Sequence, residues 1–337
     1  MRSSLIGAAT ALAIPAVACL HPDPCFTPQS RVTDLRVLGI SVDPPDPVAD
    51  LLTGTVEPVR LRALLVDPQG SRGTYRVSWA LCVASLDNPG CPAGVVVATN
   101  PEWRRDSSVE VKVPRDLIAA AVAADPLHGF GGMRVLAELR VEGASPASAT
   151  TPIIFSQKLA QPRNRPPAMR GLRFTPQGDA TFEAPPPPAT MELVVSQPTG
   201  LRPLLASGGM EEYDTVDLAG HTVHLQERIH YSFYVTPGFN IGRILLRSVG
   251  GSVVSFSNGN DVEAEEPPAG APELPGGLML IEAVQRGGIQ GTLWIVARDS
   301  RAATSWLEVA VSAVELDPNC QGPPPLRGCS QLDFGCL

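Results

Sequence analysis

Thiols are the side chains of this sequence best equipped for chemistry. The 337 residues include seven cysteines: Cys19, Cys25, Cys82, Cys91, Cys320, Cys329 and Cys336. No two have Cys-x-x-Cys spacing, which supports neither thioredoxin-type exchange nor a zinc ribbon. Cys82 and Cys91 bracket VASLDNPG, where Asn88-Pro89-Gly90 is a turn. A bridge between them closes a short loop and contributes roughly 3 kcal/mol on the chain-entropy account. Histidines cluster once, as His221, His224 and His230. On a strand, His221 and His224 fall on opposite faces and His230 lies about 20 Å from His224, so surface histidines near a hairpin are expected and no metal is. Asp261, Glu263, Glu265 and Glu266 have the hard oxygens calcium needs but no ligand spacing, so they read as a solvated acidic loop. No Gly-x-Ser-x-Gly, His-Glu-x-x-His, P-loop or Gly-x-Gly-x-x-Gly occurs. The sequence therefore names no catalytic residue and no cofactor.

The opening stretch, MRSSLIGAATALAIPAVAC, bears on the role of Cys19, which is either a lipid site or a plain thiol after an ordinary Ala16-x-Ala18 cleavage site. Arg2 precedes an uncharged apolar run from Leu5 to Ala18, which is too short for a permanent span and is built like a signal peptide. Small residues Ala16-Val17-Ala18 before Cys19 resemble the lipobox of bacterial lipoproteins, where the cysteine is acylated and becomes residue one. Ala16 stands where leucine is commonest in that motif. Setting Cys19 aside as the lipid site leaves six cysteines, an even set. With Cys82 paired to Cys91, three of the remaining four lie in the C-terminal tail. One of Cys320, Cys329 and Cys336 is then expected to reach Cys25, which requires a bent molecule or a returning tail. The lipoprotein resemblance also implies sorting to the outer membrane, because Leu20 and not Asp follows Cys19. Two or more acyl chains at about 0.8 kcal/mol per buried methylene anchor a protein stably.

A formal charge of −8, or −9 once Arg2 is removed, argues against nucleic acid and against anionic headgroups. Lys112 and Lys158 are the only lysines among 26 cations, a mark of a GC-rich genome and not of phosphate clamps. With 35 prolines and 31 glycines there is little room for long helices, yet 44% of residues are hydrophobic, so the chain is not disordered. Short apolar runs between Pro/Gly turns predict β-sandwiches.

In order, residues 1–18 are the expected signal peptide and 19–33 a polar tether. Residues 34–160 are expected to form a first immunoglobulin-like sandwich, 161–167 a linker, 168–316 a second sandwich, and 317–337 a Cys/Pro-rich tail. In the first, Leu38, Ile40 and Val42 share a strand parity, and Val59, Leu61 and Leu65 alternate with Arg60 and Arg62. TYRVSWALC places Tyr75, Val77 and Trp79 on one face, with Trp79 as core. Pro114 to Ala124 is the one convincing helix, with Pro at its start, Asp116 in its first turn and Asp125-Pro126 after it. The second unit reads as a degenerate copy: IHYSFYV matches RVSWA with Phe233 in place of Trp79, and GTLWIVAR echoes GMRVLAELR with Trp294 as core. Trp103 and Trp306 are less plainly core, though packing within their own domains is expected for both. Asp261 to Gly277 is expected to be an exposed loop.

The lipobox, the opening strand DLRVLGISVDPP and the segment LWIVARDSRAATSW resemble bacterial surface lipoproteins built from immunoglobulin-like domains of the polycystic-kidney-disease and fibronectin-III type. That resemblance implies an all-β architecture of two tandem sandwiches with one short helix in the first, and brings no catalytic residues with it. The expected function is a non-catalytic binding or scaffold module, held to the membrane by its N-terminal lipid and contacting an envelope protein or polysaccharide. An envelope hydrolase with a loop-built site and an accessory subunit of a surface or transport assembly are the competing classes.

Overall fold

Where apolar and polar residues alternate between Pro/Gly turns, strands form with one face free to be buried, and this chain is built of little else. The computed structural model describes residues 30–315 except 69–74, 85–89, 105–106, 144–145, 158–162, 176–181, 185–189, 196–198, 207–209, 247–253, 258–260, 265–278 and 285–287. The expected signal peptide, Cys19, Cys25, Glu265, Glu266, Cys320, Cys329 and Cys336 lie outside the described residues.

The first unit runs β1 (Arg36–Asp43), β2 (Ala49–Asp50), β3 (Thr55–Val56), β4 (Val59–Val66), β5 (Tyr75–Val83), β6 (Val95–Trp103), β7 (Ser108–Val111), α1 (Arg115–Ala124), β8 (Met133–Glu142) and β9 (Ala147–Phe155). A β1-β4-β7 sheet faces a β6-β5-β8-β9 sheet, all antiparallel, and β2-β3 is a separate short ribbon. This is an immunoglobulin-like sandwich. Trp79, on the inner face of β5, packs 6.0 Å from the Trp103 ring, with Leu61, Val77, Leu139 and Phe155 in the same core. Pro114 pre-sets the start of α1, which buries Ile118 and Ala121 as it crosses from β7 to β8.

The second unit runs β10 (Met169–Thr175), β11 (Phe182–Ala184), β12 (Thr190–Val194), β13 (Thr199–Leu205), β14 (Glu212–Val216), β15 (Thr222–Gln226), β16 (Ile229–Val235), β17 (Phe239–Leu246), β18 (Val254–Ser257), β19 (Asp261–Ala264), β20 (Met279–Ala283), β21 (Gln290–Asp299) and β22 (Thr304–Val314). One sheet has the order β11-β10-β13-β20-β17-β18 and the other β12-β22-β21-β16-β19, with β12 parallel to β22. Ile229, Tyr231, Phe233 and Val235 of β16 point into the core between them, beside Leu293, Ile295, Leu307 and Val309. Asp261–Ala264 is not loop but the edge strand β19, paired with β16. Its four residues suffice to extend a ladder, although a Pro-rich acidic run follows them.

The two units lie against each other through a third apolar cluster of Val32, Leu38, Leu64, Val66, Trp294 and Val296, flanked by half-buried Tyr234 and Trp306. Trp294 is therefore buried in this seam and not in its own unit's core. Leu38 also differs from its expected place. A bulge between Val37 and Gly39 takes it off the face of Ile40 and Val42 and turns it into the seam. Arg298 donates across the boundary to the Leu38 carbonyl at 3.0 Å while holding Ser232 Oγ at 2.9 Å. Arg62 stacks over Trp306 with its guanidinium carbon 5.3 Å from the ring centroid.

Residues 30–33, expected as free tether, are part of this seam. Val32 is 0% exposed. Its N–H donates to the Val235 carbonyl at 2.9 Å, and the Val235 N–H donates to the Ser30 carbonyl at 2.8 Å. Arg31 adds a hydrogen bond to the Asn240 side chain. The segment before the first unit is thus zipped to the second. The linker end is fixed too: Arg163 pairs with Glu57 at 2.8 Å and Asp46 at 3.3 Å, both in the first unit.

The seam is tight at Gly39, where an added Cβ would sit 3.2 Å from Val296 Cγ1. Gly39→Val suits a strand locally but overpacks the seam, at about 1–3 kcal/mol. Small-angle scattering of that variant is expected to show a larger radius of gyration with both cores intact; an unchanged radius would contradict this packing.

Candidate functional site

The residues between β13 and β16 form a hairpin that belongs to neither sandwich sheet. Among the described residues β14 and β15 pair only with each other, in the register Tyr213↔Leu225, Asp214↔His224, Thr215↔Val223. Strand parity puts Tyr213, Thr215, Val223 and Leu225 on one face and Glu212, Asp214, Val216, Thr222 and His224 on the other. The turn 217–221 is held by Asp217, whose carboxylate accepts from the Ala219 and His221 N–H groups. Those bonds, that from His221 first, hold the Asp217 carboxyl below its usual range. Leu218 at the tip is 77% exposed, Val216 47% and Leu225 39%. Among the described residues none of the three joins an apolar cluster. Exposed apolar residues that join none of these clusters make the tip a candidate contact surface.

What makes the arm firm is its base. Arg301, in the turn between β21 and β22, reaches Glu227 and, at 2.6 Å, Glu211, the residues that close the hairpin. The Glu227 N–H donates to the Glu211 carbonyl at 2.9 Å, and the Arg301 guanidinium lies 4.5 Å from the Tyr213 ring centroid. Glu227 is almost wholly buried, and charge-assisted bonds from a planar guanidinium satisfy it. Asp299 shapes the same turn. Its Oδ1 accepts from the Arg301 N–H at 2.9 Å and the Ala303 N–H at 2.8 Å, while buried Oδ2 has no partner among the described residues. Burial, and next the nearby Glu227 charge, push the Asp299 carboxyl up to about 7.

A raised carboxyl beside a second carboxylate is also what an acid–base enzyme builds. Here Asp299 is buried and turned onto its own backbone, and Glu227 is consumed by Arg301. The pair therefore reads as a pedestal.

The other sequence-predicted residues are dispersed. Cys82 and Cys91 form a disulfide with Cα atoms 5.5 Å apart. Glu138 supports the far side of that loop, accepting from the Cys91 N–H at 2.9 Å and from Arg140 at 2.6 Å. The Arg140 bond leads in holding its carboxyl below the usual range. His221 lies 3.3 Å from Asp217, His224 lies 2.9 Å from Asp214, and His230 is exposed on β16; the three do not converge. Bonds to Asp214 and then Glu212 raise the His224 pKa. No group of three or more metal-ligating side chains occurs among the described residues. Phe233 and Trp103 are fully buried, while Trp306 is half-buried at the seam. Sequence reading passed over Glu211, Glu227, Asp299 and Arg301. The available signal was the alternation through EYDTVDLAGHTVHLQ, a hairpin pattern around Ala219-Gly220.

No family model and no curated protein matches the chain. Among solved structures it is similar to red sea bream transglutaminase, at 12% identity over 83% of this chain and 32% of that one, with a TM-score of 0.24. It is similar to the fibronectin(III)-like modules of Clostridium thermocellum CbhA, at 8% identity over 85% of this chain and 100% of that one, TM-score 0.19. A third is the Yersinia pseudotuberculosis adhesin InvE, at 12% identity, covering 81% of this chain and 58% of that one, TM-score 0.19. The chain spans about a third of the transglutaminase's length. At such scores no residue role transfers, and the sandwich fold rests on the strand pairing described above. Among the described residues no helix is long and apolar enough to cross a membrane.

Asp299 gives a pH test of the pedestal. A carboxyl with its folded pKa raised binds its proton more tightly when folded, so it costs stability progressively as pH rises from about 4 to about 7, and in full above that. Asp299→Asn keeps an acceptor for the two N–H groups and removes the charge. Its unfolding midpoint is expected to exceed wild type at pH 8, on the order of 1 kcal/mol, and to match it near pH 4. An equal difference at both pH values would contradict the buried, protonatable carboxyl.

Proposed function

We propose that this protein is a lipid-anchored envelope module that acts by binding, without catalysis, and presents the β14–β15 hairpin to its partner. What supports this is the hairpin itself, an arm with Leu218 exposed at its tip and its base fixed by Arg301, Glu211 and Glu227. At its Val235 end β16 holds Ser30–Val32, the residues that follow the expected lipid site at Cys19. At its Ile229 end it continues from Glu227, the base of the hairpin. Seven residues of strand separate the two by about 20 Å.

β22 also ends at the Val235 end, since β21 and β22 alternate in direction beside β16. Ser30–Val32 pairs on the side of β16 away from β21, three strand spacings from β22, or about 14 Å in the sheet, and its parallel bridge means that it runs in the same direction as β16. The bridge from Cys25 to one of Cys320, Cys329 and Cys336 is supported by cysteine parity.

Two variants compared with wild type test the reading in native membranes. Cys19→Ala is expected to move the chain to the soluble fraction with its strand content unchanged. Replacing 213–225 by a short Gly/Ser link is expected to leave it membrane-bound but to remove the cross-linked partner seen with wild type. The reading fails if Cys19→Ala stays in the membrane fraction, or if the hairpin-less chain keeps the same cross-link. Non-reducing peptide mapping is expected to return a Cys25-containing bridge, and a set that omits Cys25 would contradict that pairing.

A further inference from the structure

The hairpin is a sheet one strand short, and its two faces differ in kind. Two-stranded ribbons are marginal in water, and a third strand over an apolar face is what stabilises them. One face carries the uncharged set Tyr213, Thr215, Val223 and Leu225, and the other carries Glu212, Asp214 and His224 with Thr222 and Val216 towards the tip. Between Glu211 and Glu227 the sequence has three carboxylates and neither lysine nor arginine.

The backbone shows which groups are on offer. Glu227 donates to the Glu211 carbonyl and Asp217 to the His221 carbonyl, which fixes these two pairs as hydrogen-bonded ones. Pairing alternates along an antiparallel ladder, so Tyr213↔Leu225 and Thr215↔Val223 are bonded and Asp214↔His224 and Val216↔Thr222 are not. Thr222 and His224 therefore turn their N–H and C=O groups away from β14, along the open edge of β15.

We propose that this edge of β15 accepts a strand from a protein partner whose segment alternates apolar with basic residues. This rests on the hairpin being the contact surface. Strand addition has a period of two. In one register the apolar residues of the added strand lie beside Val223 and Leu225, and its arginines or lysines lie beside Thr222 and reach past His224 to Asp214 and Glu212 on the far strand. Main-chain bonds supply affinity, and the two faces supply the selection. The acidic face repels an anionic lipid surface, and lipid has no backbone to extend a ladder. The other exposed apolar edge, β6 with Val95 and Val96, is a poorer template: its pairing is interrupted twice by register shifts and it contains Pro101.

The test uses the full chain in detergent and three short fluorescent peptides: alternating Val/Arg, the same composition in two blocks, and alternating Val/Glu. Binding is read by anisotropy for wild type, Thr222→Pro, and Glu212→Gln with Asp214→Asn. Thr222→Pro removes an outward N–H and no bond of the hairpin itself; matched unfolding midpoints confirm that both variants fold. Wild type is expected to take the alternating Val/Arg peptide roughly tenfold tighter than the block peptide. Thr222→Pro is expected to remove that preference, and the double variant to weaken binding and flatten its salt dependence.

Binding of Val/Arg by Thr222→Pro at wild-type strength would overturn the proposal. Equal binding of Val/Glu, still lost in Thr222→Pro, would overturn the basic partner while leaving the hairpin as the contact surface. Binding untouched by either variant would remove the hairpin reading as well. Dimers in size-exclusion with light scattering that disappear in Thr222→Pro would make the occupant a second copy and overturn a separate partner.

Discussion

The arrangement of the whole molecule depends on one short piece of backbone, the pairing of Ser30–Val32 with Val235. Two hydrogen bonds and one valine are a small interaction, yet they lie where the two sandwiches meet. Val32 fills the space between Leu38, Leu64 and Val66 on one side and Trp294 and Val296 on the other. Without it the facing sheets would leave a cavity in an apolar seam, which costs stability in proportion to the void. With it, the chain before the first sandwich is committed to the second, and two units that follow one another in sequence stand side by side. Arg298 and Arg62 then close the polar margin of the seam, each contributing a guanidinium that stays hydrogen-bonded or stacked while its neighbours are buried.

The same strand joins this clasp to the hairpin. β16 receives the incoming segment at one end and releases from the hairpin at the other, while Phe233 and Tyr231 fix it in the second core. A binding arm held on one flexible strand pair would lose affinity to the cost of ordering it. The Arg301–Glu211–Glu227 group, braced by Asp299, removes much of that cost in advance. Burying those charges is a poor way to gain stability but a good way to fix a geometry. Asp299 shows the expense directly, since its carboxyl is kept near neutrality by the environment that makes the turn rigid.

Much of this was legible in the sequence wherever one face of a strand meets the core and the other meets water. Val59–Arg62, Tyr75–Val83 and the Pro114-started helix were all readable, because periodicity and turn residues report a single buried face. The equivalence of Phe233 with Trp79 also holds in space, each on an inward face of a strand with neighbours on both sides. Reading failed where burial is two-sided. Ala63–Val66 and Leu293–Ala297 are covered from both directions, so their patterns carry no face, and Trp294 was assigned to the wrong core. Leu38 was misplaced because a bulge adds one residue and reverses every parity argument across it. The pedestal was invisible because its four charges come from three separate places in the chain, and only the fold brings them together.

Hydrogen exchange at the amides of Val32 and Val235 tests the central claim most directly, because those two N–H groups are the clasp itself. The account predicts that both exchange slowly and together, at rates close to those of the core strand amides of β16. Exchange at both amides as fast as in an unstructured peptide, while the other core amides of β16 stay protected, would contradict it and would return the two sandwiches to independent beads on a string.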